Sequence, residues 1–148
     1  MIEDQSNQSK KNVKIKTNQV LANYIKELEQ DVKLSEFNLR EKSLLCSSIW
    51  AKWISYLFLE KENLQRIVDA KQKILKKKTS ESKIQDSILK MKSEEKLAEN
   101  DENIRKLNSL FKNTQDCIDY IERALNILNS FGFNIKNAID ALKLQMTH

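Results

Sequence analysis

The chain has 148 residues, with no Pro and one Gly, Gly132; sheets and tight hairpins depend on both residues at their turns, so the composition disfavours a β-rich fold and favours long helices. Hydrophobic residues make up 40% and charged residues 32%, which suits amphipathic helices but leaves a thin core for one chain, so self-association is expected. The net charge of +5 is mild, and one glycine cannot build a phosphate-binding loop, which speaks against nucleotide hydrolysis.

Met1 to Lys16 is polar, opens with acidic residues and carries Lys10, Lys11, Lys14 and Lys16. It reads as a flexible basic arm and is neither a signal nor a transit peptide. A short helix is expected after Thr17, with Leu21, Tyr24, Ile25 and Leu28 on one face. Ser35 is the expected N-cap of the next segment.

From Ser35 to Lys78 nothing breaks a helix. Apolar residues recur in steps of three and four at Cys46, Ile49, Trp50, Trp53, Leu57, Leu64, Ile67, Val68, Ile74 and Leu75. A continuous helix would be roughly 65 Å long, which points to a bundle or coiled-coil assembly. Trp50, Trp53 and Leu57 share a face, so core or subunit packing is the plain reading of the aromatics, with base stacking as the sharper one. Lys52 points away from that face and is a candidate phosphate contact. The most apolar stretch, Leu44 to Leu59, contains Lys52 and is shorter than the roughly 20 residues of a membrane span, so no membrane-spanning helix is expected; a membrane-surface helix using the lysines is disfavoured because the aromatics near Trp50 lie far along the helix from them.

Lys71, Lys73, Lys76, Lys77 and Lys78 crowd the end of this helix. At about 100° per residue, Lys73, Lys76 and Lys77 lie opposite the apolar stripe, while Lys71 and Lys78 fall close to it. Lysine is a compact point charge suited to phosphates without base preference. The bland alternative is a solvated helix end whose lysines complement the helix dipole. Thr79, Ser80 and Ser82 then make a weak break, the pattern resumes at Ile84, Ile88 and Met91, and charge reverses from Ser93 to Glu102.

Ile104, Leu107, Phe111, Ile118, Ile121, Leu125 and Leu128 form a second stripe, expected to end near Gly132 as a helix C-terminal residue. A last helix is expected over Phe133 to Gln145, with Ile135, Ala138, Ile139 and Leu142 on one face. The only histidine is His148, no carboxylate pair stands in an apolar setting, and Cys46 and Cys117 have no metal-ligand spacing. Both cysteines read as small core residues in a reducing compartment. No catalytic residue, metal or cofactor is expected.

Several segments resemble the UvsY family of recombination mediators from T-even-type phages. They are Asp31-Val32, then Ile49-Trp50-Ala51-Lys52-Trp53-Ile54, Leu64-Gln65-Arg66-Ile67, Leu75-Lys76-Lys77-Lys78 and, near the end, Gly132-Phe133-Asn134-Ile135-Lys136. The resemblance implies a non-enzymatic, all-α protein with long amphipathic helices in an oligomeric bundle or ring, in the cytoplasm of the infected host. It implies binding of single-stranded DNA, loosening of the phage single-strand-binding protein, and loading of a RecA-like recombinase of the UvsX type. Lys76 and Lys78 then stand at the Lys and Arg positions of the family's DNA-binding motif, with Lys77 between them. Losing the Arg removes a planar fork, so contacts there become more point-like.

The implied organisation is an arm over 1–16 and one helical domain over 17–148, with DNA binding in 17–78 and oligomerisation in 79–148. The oligomerisation residues expected from the apolar faces are Ile118, Ile121, Leu125, Leu128, Phe133, Ile135, Ile139 and Leu142. The sequence departs from the family in its Thr79-Ser80-Glu81-Ser82 stretch and in its longer N-terminus. The rival reading from the residues is a helical scaffold or adaptor that never touches nucleic acid.

Overall fold

The computed structural model describes residues 19–83 and 102–147, with side chains described throughout except at 79–83. Three helices make up nearly all of it: α1 over Gln19–Asp31, α2 over Leu39–Lys83 and α3 over Glu102–Met146. No strand occurs among the described residues. The basic arm expected over 1–16 and the apolar positions Ile84, Ile88 and Met91 lie outside them.

The chain divides into two compact units. One comprises the described residues up to Leu59 together with those from Asp116 onward; the other runs from Glu60 to Gln115. The first unit therefore combines α1 and the first part of α2 with most of α3.

In the first unit, α3 presents Cys117, Ile121, Ala124, Leu128, Phe131 and Ile135 to the core, in alternating steps of four and three. That spacing keeps one stripe in register over several turns of helix. Against it pack Tyr24 and Leu28 of α1 and Ile49 and Trp53 of α2. Ile121 and Trp53 are completely buried, and so is Ala124, a small side chain that adds little bulk to the packed face. Tyr24, Trp53 and Tyr56 form an aromatic triangle with ring centroids 5.9, 5.2 and 5.5 Å apart, tilted or edge-on as the ring quadrupoles favour.

A polar link runs beside this triangle. The Trp53 indole N–H donates to Asp31 Oδ2 at 2.8 Å. Lys52 Nζ donates to the same oxygen at 2.7 Å and pairs with Glu27 at 2.9 Å. The Tyr56 hydroxyl donates to Glu27 at 2.7 Å. Two carboxylates at the end of α1 thus hold three side chains of α2. Among the described residues no buried side-chain polar atom lacks a partner.

The turn into α2 differs from the expected one. Asn38, not Ser35, occupies the N-cap, since its carbonyl accepts the first helical bond, from the Lys42 N–H at 2.9 Å. Its side-chain oxygen accepts from the Ser35 N–H at 2.7 Å, and its amide donates to the Lys33 carbonyl at 3.0 Å. An asparagine both donates and accepts, so it can fold the connector back on itself in a way that a serine hydroxyl does less well. Lys42 Nζ also satisfies the Gln30 carbonyl at the end of α1.

Two expected breaks are absent. α2 continues through Thr79, Ser80 and Ser82 to Lys83, and α3 continues through Gly132. Glycine inside a helix costs roughly 1 kcal/mol relative to alanine. The core ladder keeps its phase across it, through Leu128, Phe131 and Ile135, and burying such side chains is worth about 1.5–3 kcal/mol each. The separate helix expected from Phe133 is therefore the end of α3.

A Cβ at Gly132 would lie 3.7 Å from the Cys46 sulfur, an ordinary contact. Gly132→Ala should therefore raise unfolding free energy by about 0.5–1 kcal/mol, seen as a higher urea midpoint; a lower one would mean that the groove beside Cys46 requires the bare backbone.

The polar link also predicts an alkaline limit. Burial lowers the Lys52 pKa, but hydrogen bonds and charge from Asp31 and Glu27 outweigh it and hold the ammonium above its ordinary 10.5. Burial and the Glu27 carboxylate likewise raise Tyr56 above 10.0. Both groups hold their protons more tightly when folded, so their contribution is complete below the unfolded values and disappears as pH rises through the folded ones. The urea midpoint should fall as pH rises above about 10, and fall less in Tyr56→Phe. A midpoint equally pH-independent in both proteins would contradict the link.

Candidate nucleic-acid interface

The lysine run lies in the unit spanning Glu60 to Gln115. Its scaffold is the second half of α2, where Leu64, Ile67, Val68, Ile74 and Leu75 are half-buried along one side. Lys73, Lys76 and Lys77 are exposed and Lys71 and Lys78 half-buried, the arrangement that the helical phases predict.

Upstream, charges and polar groups on α2 are internally matched. Arg66 sits 3.7 Å from Glu62, and Gln65 donates to Asp69 at 2.9 Å. From Lys71 to Lys78 the sequence has five lysines and no carboxylate. Such a run gathers counterions, and releasing them is the usual driving force for phosphate binding.

Lys52 stands apart from the run. It lies in the other unit and is held by Asp31 and Glu27. A phosphate would have to displace two carboxylates already at ion-pair distance.

The aromatics divide as well. Trp53 is 0% exposed, so it stacks on no base and fills the core, as the plain reading expects. Tyr56 is partly buried against the same core. Trp50, expected on the core face, is 42% exposed; with Cys46, Ser47, Leu128, Asn129 and Gly132 it lines a shallow groove of about 290 Å³. Phe58 is also exposed. Cys117 is buried and Cys46 half-buried, and both are free thiols.

The residues expected to hold copies together differ in burial within this chain. Ile118, Ile121, Leu128 and Ile135 are buried within this one chain, and Leu125 and Ile139 pack against the core. Ile121, Leu128 and Ile135 face α1 and α2 of the same molecule. Phe133, on another side of α3, is 69% exposed. Leu142 lines an open groove with the start of α2.

The role of Asp31 escaped sequence reasoning, because its partners are 21 and 22 residues away and no periodicity links them. Asp31 and the Lys52-Trp53 pair do both fall in segments that carry the family resemblance. Among the described residues no helix is long and apolar enough to cross a membrane.

Comparisons with known proteins give the family and the fold. The profile of the family described as recombination, repair and ssDNA binding protein UvsY matches residues 27–147. Crystal structures of the bacteriophage T4 recombination mediator protein UvsY share the fold. Its lattice type IV form has a TM-score of 0.70 at 22% identity, covering 84% of this chain and 98% of that one. The type II form gives 0.67 at 20% identity, covering 85% and 97%, and the type I form gives 0.65 at 21%, covering 81% and 96%. No curated protein matches the sequence. A family profile that runs from α1 to the end of α3, together with a matching helical fold, makes this chain a member of the UvsY family of recombination proteins.

Proposed function

We propose that this chain is a phage recombination mediator that binds single-stranded DNA through the lysine run at the end of α2. The observation that carries the reading is local. Five lysines occupy Lys71 to Lys78 with no carboxylate among them, and Lys73, Lys76 and Lys77 stand exposed. Each lysine alone is a weak phosphate contact. Copies joined in a ring-like homo-oligomer present the run repeatedly, and linkage raises the effective concentration of every site after the first.

The mediator acts without nucleotide, cofactor or catalytic residue, in the cytoplasm of the infected host. A strand wrapped on the oligomer has strained contacts with the phage single-strand-binding protein. It is thereby loosened and offered to a UvsX-like recombinase, which nucleates on it. Lys52 serves the fold in this account and not the strand. Self-association uses apolar surface that the core leaves free, of which Phe133 is the clearest example on α3.

Fluorescence anisotropy of a labelled single-stranded oligonucleotide across a salt series tests the reading. Wild type should bind tightly at low salt and weaken steeply as salt rises. Lys76→Ala/Lys78→Ala should bind more weakly, with a logarithmic salt slope shallower by about 1.4, because each lost single-strand phosphate contact removes about 0.7. Lys52→Gln should lower stability while leaving the affinity of the folded protein unchanged. Wild type that fails to bind at low salt would sink the DNA reading and favour the protein-only scaffold. Sedimentation of Phe133→Glu should give smaller species at unchanged helix content; an unchanged assembly would move the interface elsewhere.

A further inference from the structure

The unit that carries the lysine run, Glu60 to Gln115, contains a single aromatic residue, Phe111. Its side chain is 40% exposed. Helical phase alone would not leave it so. Ile104, Phe111 and Ile118 follow one another at heptad spacing along α3, which drifts by only about 20° per step and so keeps one face. Ile104 is 1% exposed and Ile118 4%. The middle position of a buried stripe is therefore open. In the same unit the described apolar side chains of α2 from Leu64 to Leu75 are all half-buried, so packing here is thin.

The charge around the ring fits a strand. From Asn103 to Gln115 the chain carries Arg105, Lys106 and Lys112 and no acidic residue. Lys106 lies 3.5 Å from Glu102, but both side chains are exposed, where an ion pair is weak and screened. Lys112, next to Phe111, is exposed. Proteins that hold single strands without base preference combine a basic track for phosphates with aromatic rings on which bases stack. Trp53 is buried and supplies no such ring, and Trp50 and Phe58 belong to the other unit.

We propose that Phe111 is a base-stacking residue of the single-strand site, with a nucleobase lying on its ring while phosphates of the same strand meet Lys112 and the lysine run. The inference rests on the DNA reading and adds to it a contact for the part of the nucleotide that lysines do not recognise. Every base has a π face, so this contact adds affinity without sequence preference.

The test uses the full chain, an oligothymidine strand and an abasic strand of the same length and charge, with affinities read by fluorescence anisotropy. Phe111→Leu keeps the apolar bulk and loses the π face, so it should weaken oligothymidine binding roughly fivefold or more. Its affinity for the abasic strand and its logarithmic salt slope should equal those of wild type, because no phosphate contact is lost. Phe111→Trp should keep the affinity for oligothymidine, and its added tryptophan fluorescence should be quenched as the strand binds. Helix content and subunit number should be the same in all three proteins.

Oligothymidine bound equally by wild type and Phe111→Leu overturns the inference and leaves the role of the lysine run standing. An equal loss on the abasic strand also overturns it, since the ring would then serve the fold and not the bases. A changed subunit number in Phe111→Leu assigns the ring to a contact between copies and overturns it as well. Wild type that binds neither strand overturns this inference together with the DNA reading.

Discussion

A tryptophan indole N–H removed from water needs an acceptor, and at Trp53 that acceptor is the carboxylate of Asp31. Trp53 is the centre of the unit that joins the chain ends, touching Tyr24 and Tyr56 and packing with the α3 stripe. Because Asp31 closes α1, satisfying the indole also fixes where α1 ends against α2. Lys52 then neutralises the carboxylate that does this work and brings in Glu27. Removing either partner would strand a polar group in a partly buried site, which typically costs about 1–3 kcal/mol. The position of α1 and the closure of the core over Trp53 both rest on this one contact.

That constraint also sorts the charges. A lysine held by two carboxylates contributes little to an outside polyanion, whereas exposed lysines such as Lys73 and Lys76 present their charge to solvent. Lys52 and Lys76 are the same residue type on the same helix, yet Lys52 is held by two carboxylates of α1 while Lys76 is exposed. An account that counted basic residues along α2 would treat them alike. The partners in space decide, and for Lys52 those partners come from α1.

Much of this was legible in the sequence. α2 and α3 announce themselves through apolar residues three and four apart, and the exposure of Lys73, Lys76 and Lys77 follows from helical phase. Gly132 misleads because a local preference of about 1 kcal/mol is outweighed by a stripe that keeps packing on both sides of it. Ser35 misleads because two residues near a helix start could cap it, and only the fold of the connector selects Asn38. Ile121 and Leu128 show a deeper limit. An apolar stripe has the same period whether it faces another subunit or another helix of its own chain, so periodicity finds the face but not its occupant. The Asp31–Trp53 contact joins residues far apart in sequence and leaves no periodic trace. The family resemblance covered both of its ends without revealing that they meet.

Photocrosslinking of the protein to a thymidine-rich single strand, with mass-spectrometric mapping of the attached peptides, tests the central claim most directly. The account predicts attachments concentrated between Arg66 and Lys78 and at Phe111, with the peptide containing Lys52 and Trp53 left unmodified. Attachments concentrated at Lys52 and Trp53, with the lysine run untouched, would contradict it. The strand would then be opening the Asp31 link that the fold depends on.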